Sequence, residues 1–197
     1  MNDRVFRHTE AHKLEDPERL KWLPPAEVLA QLRIAAGMKV ADIGAGTGYF
    51  AIPMARAVGA SGQVLAIDPQ PEMLDLLREK LNGPETPRNI ALRQGAAAQI
   101  PLPDASVDVA FYANIWHELD DHGAVLREAW RILAPTGRIA ILDWRKDMTP
   151  PPGPPQEHRL SAESVVSFLQ CNGWRRIGSQ NVGAFAYLAT ADAPEGN

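Results

Sequence analysis

The chain has 197 residues, of which 45% are hydrophobic and 22% are charged, and its formal net charge at pH 7 is −4. This composition excludes a disordered or fibrous protein, and the weak negative charge disfavours sequence-independent nucleic-acid binding, which needs a basic surface. The single cysteine, Cys171, excludes an internal disulfide and a cysteine-based metal cluster, and it favours a reducing compartment.

The first residues are charged and carry no targeting signal, and no stretch reaches the roughly 18 apolar residues of a membrane-spanning helix. We therefore expect a cytoplasmic protein without a membrane partner. Residues 1–23 are polar and mixed in charge, which predicts an N-terminal arm, or cap, of helical turns. Residues 24–197 are predicted to form one domain.

From residue 24 onwards, predicted helices alternate with short apolar strands. Two prolines begin a helix that we expect to end at Gly37. Strands are predicted at 39–43, 63–67, 89–93, 107–112 and 138–142, and helices at 49–58, 72–81, 121–133 and 161–170, with Ser161 as the N-cap of the last helix. Two final strands, at 174–179 and 185–190, are close enough in sequence to form a hairpin. This alternation predicts a parallel sheet covered on both faces, with ligands beyond the carboxyl ends of its strands.

A glycine-rich loop follows the first predicted strand, with glycines at 44, 46 and 48. Glycines let a ligand approach the backbone closely, and the helix that follows offers unpaired N–H groups. Asp68 ends the next strand, 68 − 48 = 20 residues after the last glycine. An acid there can accept hydrogen bonds from both ribose hydroxyls. Together these features indicate an adenosine-containing cofactor, and the alternative is a glycine turn with a solvated aspartate.

The spacing of the glycines separates two classes of cofactor. A dinucleotide fingerprint reads G-x-G-x-x-G/A, whereas this loop reads G-x-G-x-G and is followed by the bulky Tyr49. This disfavours pyrophosphate binding, so a nicotinamide-linked oxidoreductase is an alternative of lower rank.

The loop resembles motif I of the class I S-adenosylmethionine (SAM)-dependent methyltransferases, with Asp68 as the acid that follows this motif. Residues 94–109 resemble that family's G-D-A-x-x-L-P-F-x-D-x-S-F-D-x-V region, and residues 128–138 resemble its E-x-x-R-V-L-K-P-G-G corner. The resemblance covers roughly residues 24–145, and residues 12–17 and 153–160 also resemble small stand-alone bacterial members. It implies a doubly wound α/β fold: a mostly parallel, seven-stranded sheet with helices on both faces and an antiparallel last strand. The implied cofactor is SAM, and the implied product is S-adenosylhomocysteine (SAH).

The resemblance also implies the cofactor-binding positions, which are Asp42, Gly44, Ala45, Gly46, Gly48, Asp68, Pro69, Gln70, Ala96, Ala97 and Asn114. Asp42 and the glycine loop would hold the methionine end together with Asn114. Asp68 would bind the ribose, and Pro69 and Gln70 would flank the adenine. At position 96 the family usually has an aspartate that contacts the adenine amino group. Because the loss of one hydrogen bond costs about 1 kcal/mol, we expect Ala96 to weaken cofactor binding rather than abolish it.

Candidate acceptor-side residues follow the fourth and fifth predicted strands. His117 can act as a general base near neutral pH, and the alternative is a loop histidine bonded to the backbone. Trp116 would line the acceptor pocket. Trp144 would form a wall of the same pocket, and a solvated loop is the alternative.

The proline-rich segment 149–155 cannot form a helix. We expect a fixed wall that presents His158, as a second candidate base, and Arg159, and the alternative is a linker. The N-terminal arm would bring His12 near the same edge. The spacing of the three histidines does not support a metal site, so no metal is expected.

The sequence therefore predicts a SAM-dependent methyltransferase acting on a small-molecule acceptor at an O, N, S or C atom. The lack of Asn-Pro-Pro-Tyr after the fourth strand disfavours N-methylation of bases or glutamine, and the lack of Pro-Cys disfavours cytosine C5 chemistry. No nucleic-acid partner is expected. A SAM-binding regulatory module without catalysis is the alternative from a different class. The sequence leaves the acceptor and the oligomeric state open.

Overall fold

The structure is a computed structural model that describes residues 5–148 and 153–195. Seven strands form its centre, namely β1 (Lys39–Ile43), β2 (Gln63–Asp68), β3 (Ile90–Gln94), β4 (Val107–Ala113), β5 (Leu133–Trp144), β6 (Arg175–Val182) and β7 (Ala186–Asp192). They form one sheet in the order β3-β2-β1-β4-β5-β7-β6. Neighbouring strands are parallel except for β7, which is antiparallel to both β5 and β6. This topology confirms the predicted fold, including the final hairpin.

Within the described ranges, six α-helices surround the sheet, namely α1 (Arg19–Trp22), α2 (Pro25–Gln31), α3 (Ala51–Val58), α4 (Pro71–Lys80), α5 (His122–Ile132) and α6 (Ala162–Cys171). Short 3₁₀ segments occur at His8–Glu15, Trp116–Glu118 and Gln156–His158. The predicted N-cap of α6 is confirmed, because the Ser161 hydroxyl accepts a hydrogen bond from the Ser164 N–H at 3.2 Å.

The predicted end of the first long helix is wrong. Helix α2 ends at Gln31, and Arg33 has a φ of 51°, a left-handed conformation that interrupts a right-handed helix. Gly37 instead belongs to the turn before β1, where its N–H donates to the Val58 carbonyl at 2.9 Å. Strand β5 is also longer than predicted, beginning at Leu133.

Hydrophobic clusters cover both faces of the sheet, and successive residues of β5 contribute to opposite ones. Ile139 and Ile141 join the cluster packed with α5 and α6, whereas Ala140 and Leu142 join the cluster packed with α2 and α3. Since side chains alternate along a strand, Asp143 lies on the α5–α6 face. Within the described ranges, no helix has both the length and the apolar character needed to cross a bilayer.

Candidate functional site

The glycine loop joins β1 to α3 at the carboxyl edge of the sheet. It is fixed to β2, since the N–H groups of Gly44 and Ala45 donate to the Ile67 carbonyl at 2.8 and 3.0 Å. Gly44 has a φ of +75°, and a Cβ at this position would lie 2.7 Å from the Ile115 side chain. Gly48 has a φ of +86°, and its Cβ would collide with Leu77 of α4. Glycine is therefore required at both positions for the loop to pack this closely.

Two buried carboxylates flank the loop. Asp68 is held by two backbone donors, the Gly46 N–H on Oδ2 and the Gln70 N–H on Oδ1, each at 2.9 Å. Burial raises the pKa of Asp68, and these two hydrogen bonds oppose the rise. Asp42 is 1% exposed, and its Oδ2 has no hydrogen-bond partner among the described residues. Burial, followed by the charge of Asp68, raises the pKa of Asp42 to about 7.

Asn114 follows β4, the strand next to β1 in the sheet, and has a φ of 56°. Its N–H donates to the Leu142 carbonyl at 2.7 Å, whereas its side-chain oxygen and nitrogen are both buried without a partner in the described part of the chain. Buried polar atoms are normally hydrogen-bonded. The side-chain oxygen and nitrogen of Asn114 and Oδ2 of Asp42 are therefore expected to bind a polar ligand. Donors and acceptors at the ends of two adjacent strands fit the ammonium and carboxylate groups of a methionine moiety.

The residues predicted around the adenine lie beside Asp68. The Gly95 N–H donates to the Asp68 carbonyl at 3.2 Å, which places the turn containing Ala96 and Ala97 next to the end of β2. Ala96 is exposed and pairs with Gln99 across this turn. Ala97 packs against the hydrophobic cluster of the α5–α6 face.

On the other side of Asp68, Pro69 is exposed, and Gln70 is bound by the N-terminal arm. The Gln70 amide donates to the Phe6 carbonyl at 2.8 Å and accepts from the His8 N–H at 2.9 Å. The arm therefore lies directly beside the position predicted for the adenine.

The arm continues across the carboxyl edge towards the glycine loop, as the sequence predicts. Leu14 Cδ1 lies 3.4 Å from the position that a Cβ would take at Gly46. Glu15 accepts hydrogen bonds from the Thr47 hydroxyl and from the Lys80 ammonium, each at 2.5 Å.

His12, predicted to line the acceptor pocket, is exposed. It lines a groove of about 320 Å³ together with Leu76 and Glu79 of α4. The structure therefore places it against the helix that follows β2, and its role at the acceptor stays a prediction.

His117 lies in the 3₁₀ segment after β4 and is 5% exposed. Its Nδ1 lies 2.8 Å from Asp143 Oδ1, and its backbone N–H donates to Asp143 Oδ2 at 2.9 Å. Burial lowers the pKa of His117, but the charge and hydrogen bond of Asp143, joined by the charge of Glu118, raise it above its usual value overall. Because Nδ1 is committed to Asp143, Nε2 is the ring nitrogen left to accept a proton.

Glu118 lies between this pair and the arm. Its Oε1 is 3.9 Å from His117 Nε2 and accepts a hydrogen bond from the Phe6 N–H at 3.2 Å. Burial raises the pKa of Glu118 to about 7, and the charges of Asp143 and Asp68 add to the effect, whereas His117 and the Phe6 N–H oppose it.

The remaining predicted acceptor-side residues lie in different environments. Trp116 is buried in the core, where its ring packs on Tyr112 and His122 with centroids 5.6 and 4.9 Å away. Trp144 lies at the end of β5 and packs on Trp22 of the arm, with ring centroids 5.3 Å apart. Both tryptophans are buried, and their roles at the acceptor pocket stay predictions.

The predicted proline-rich wall falls partly on residues 149–152, which lie outside the described residues. Of its described part, Gly153 packs so closely on Trp144 that a Cβ would lie 2.6 Å from the ring. His158 is half-buried, and its N–H donates to the Pro155 carbonyl at 3.0 Å. Arg159 is 1% exposed.

Two residues of the site, Asp143 and Glu118, are not selected by the sequence analysis. Asp143 is the penultimate residue of β5, which pairs with β4, so the strand order places it beside the segment that carries His117. That adjacency is the feature that points to Asp143. In the described part of the chain, no group of three or more His, Cys, Asp or Glu side chains is arranged to hold a metal ion.

Comparison with known proteins agrees with this arrangement. The family described as "Methyltransferase domain" matches residues 41–141, a range that contains the glycine loop, Asp68 and His117. A SAM-dependent methyltransferase from Aquifex aeolicus is 34% identical and superposes with a TM-score of 0.89, over 95% of this chain and 99% of that chain.

Two further relatives share part of their length with this chain. A demethylmenaquinone methyltransferase of Lactobacillus johnsonii is 34% identical over 120 residues, 61% of this chain and 49% of that protein. An uncharacterized methyltransferase of Mycobacterium tuberculosis is 40% identical over 126 residues, 64% of this chain and 44% of that protein. The chain thus spans about half the length of the curated relatives it matches. The family match, the shared fold and the glycine loop together show that the chain belongs to the class I SAM-dependent methyltransferase family, which confirms the predicted family and its cofactor, SAM.

Proposed function

We propose that the chain transfers the methyl group of SAM to a small-molecule acceptor and that His117 receives the acceptor's proton. The observation that carries this proposal is the buried His117–Asp143 pair, at the same edge of the sheet as the polar atoms of Asp42 and Asn114 that have no hydrogen-bond partner in the described residues. SAM supplies a methyl group on a positively charged sulfur. His117 Nε2 would accept the proton that the acceptor loses when it takes this methyl group, and SAH would be the product left behind.

The chain's own residues account for orientation and for proton transfer. Asp143 fixes the His117 ring through Nδ1, so that Nε2 keeps a constant direction. Asp68 would hold the ribose, and Asp42 and Asn114 would hold the methionine end. Methyl transfer needs little besides aligned reactants and a deprotonated acceptor, and this arrangement supplies both.

The small-molecule class of acceptor is supported by the relatives. Those of Lactobacillus johnsonii and Listeria welshimeri are named as demethylmenaquinone methyltransferases. We propose the class and not the quinone itself, because this chain spans about half the length of those proteins.

Calorimetric titration with SAH tests the cofactor, with NADH as the negative control. We expect saturable SAH binding and none of NADH.

Asp68→Asn should weaken SAH binding by about 1–3 kcal/mol, because the ribose hydroxyls lose a charged acceptor. Asp75→Asn, an exposed aspartate on α4, is the matched control and should bind like the parent. Equal SAH affinity in Asp68→Asn and the parent contradicts the ribose role, and binding of NADH without SAH favours the oxidoreductase.

Measuring turnover tests whether His117 acts as the base. We expect SAM-dependent SAH release with a hydroxyaromatic probe, 1,4-dihydroxynaphthalene, within a panel of small amines, thiols and phenols. His117→Gln should lower the rate about 10²- to 10⁴-fold while SAH affinity stays near that of the parent. An unchanged rate at saturating acceptor removes His117 from the mechanism. SAH binding without turnover on any acceptor favours the SAM-binding regulatory module.

A further inference from the structure

Glu118 is a carboxylate that faces the ring nitrogen of His117 to which the acceptor's proton is assigned. Its Oε1 lies 3.9 Å from His117 Nε2, whereas Asp143 contacts the other ring nitrogen, Nδ1, at 2.8 Å. The Phe6 N–H of the arm donates to the same oxygen of Glu118 at 3.2 Å. The imidazole therefore lies between two carboxylates, one near each of its nitrogens.

The exposure of these three side chains differs in a way that matters for proton transfer. A base that has taken a proton must lose it before the next turnover. The side chains of His117 and Asp143 are only 4% and 1% exposed, so water has little access to either. The side chain of Glu118 is 12% exposed and is the most open of the three. A route from His117 Nε2 to water therefore leads through Glu118.

The charges around the two groups let both hold a proton near neutral pH. Burial, aided by the charges of Asp143 and Asp68, raises the pKa of Glu118 to about 7, although His117 and a backbone N–H oppose the rise. Burial lowers the pKa of His117, but Asp143 and Glu118 raise it above its usual value overall, against the charge of Arg159. Transfer between groups with similar proton affinities needs little free energy.

We propose that Glu118 is a proton-relay residue that acts through His117: it takes the proton from His117 Nε2 after methyl transfer and passes it to water. The bond from Nε2 to hydrogen breaks, a bond from Oε1 to the same hydrogen forms, and the imidazole becomes neutral again. Loss of that proton to solvent restores the carboxylate. Rotation of the Glu118 side chain closes the 3.9 Å gap, because hydrogen bonds between reacting groups often tighten only when the reactants are bound. The inference rests on the proposed function of His117.

Exchange of the His117 Nε2 proton with water, measured by NMR in the protein without cofactor or acceptor, tests the relay. His117→Gln identifies the resonance. Glu118→Gln keeps an oxygen for the Phe6 N–H but cannot take a proton, so we expect it to slow this exchange several-fold. Glu163→Gln, which alters an exposed glutamate of α6, is the matched control and should exchange like the parent.

Unchanged exchange in a folded Glu118→Gln protein overturns the inference. If Glu118→Gln does not fold by circular dichroism, titration of the parent decides. Two groups that share a proton titrate together, so the Glu118 carboxyl carbon and the His117 ring should both report the same two steps. A carboxyl signal that titrates in one step, independently of the ring, overturns the relay.

Turnover separates the relay from a structural role. We expect Glu118→Gln to lower kcat several-fold with KM and SAH affinity near those of the parent, and added imidazole to restore part of the rate. Loss of SAH affinity as large as the loss of kcat contradicts the relay. The exchange measurement needs neither SAM nor acceptor. If His117→Gln leaves turnover unchanged, the proposed base fails while the proton exchange between His117 and Glu118 is still decided.

Discussion

At the residue scale, four acidic side chains meet at the carboxyl edge of the sheet, and burial controls their chemistry. Asp42, Asp68 and Asp143 are each at most 5% exposed. Asp42 and Glu118 both have a pKa of about 7, so their protonation changes within the physiological range. A cationic ligand such as SAM would favour the ionised forms. Without a ligand, ionising Asp42 and Glu118 therefore costs electrostatic free energy, and a bound cation lowers that cost.

Asp42 gives a pH-dependent contribution to stability whose sign follows from its raised pKa. Between the unfolded value, near 4, and about 7, the folded protein holds a proton that the unfolded chain has released. The free energy of unfolding must therefore fall as pH rises through this window, by up to about 4 kcal/mol. Asp42→Asn removes the effect. We expect this variant to gain stability relative to the parent from pH 4 to 7 and to keep that gain above pH 7.

Chemical denaturation of the cofactor-free protein at pH 4.5, 6 and 8 measures this difference. Asp75→Asn, with an exposed carboxylate, is the control and should follow the parent at every pH. A constant difference between Asp42→Asn and the parent across the three pH values would contradict burial as the cause.

At the element scale, the N-terminal arm connects parts of the site that come from separate strands. It contacts Gln70 after β2, Glu118 after β4 and the glycine loop after β1. These contacts use backbone groups of the arm as well as its side chains. The arm therefore links the segments that follow three separate strands.

Leu14 is the arm residue that packs on the glycine loop, and its removal should loosen this edge. We expect Leu14→Ala to weaken SAH binding several-fold, because about 1–2 kcal/mol of apolar contact over the loop is lost. Leu20→Ala alters a leucine of α1 that is 57% exposed and serves as the control. Calorimetry on both variants is the measurement, and equal SAH affinities would mean that the arm does not contribute to the site.

The elements that the sequence predicts well are those with strong local patterns. Strand β1 has the predicted bounds, and Ser161 caps α6 as predicted, because apolar runs and caps are local features. The end of α2 is not predictable in this way. Arg33 adopts a left-handed conformation, which no local propensity of arginine indicates.

At the scale of the whole molecule, the strand order explains which parts of the site the sequence reveals. The glycine loop and Asp68 occur at a fixed spacing along the chain, so a motif can indicate them. Asp143 and His117 are 26 residues apart, and they meet because β4 and β5 are neighbours. The Arg159 guanidinium donates hydrogen bonds to the backbone carbonyls of Arg145, Met148 and Pro154, and no residue type indicates where those carbonyls point.

The boundary between an arm of residues 1–23 and a domain of 24–197 stays a prediction, and Leu23 is fully buried in the core.

The antiparallel direction of β7 separates the two ends of the described chain. Its pairing with β5 runs from Trp144 opposite Ala186 to Arg138 opposite Asp192, so the chain returns to the amino edge of the parallel strands. The N-terminal arm lies at the other edge, over the glycine loop. The end of β7 therefore lies at the edge opposite the glycine loop, about one seven-residue strand, or roughly 20 Å, away along the strand direction. An affinity tag fused before the arm instead joins a segment that contacts Gln70, Glu118 and the glycine loop, so we expect immobilisation through the C-terminal side to disturb this edge less in binding measurements.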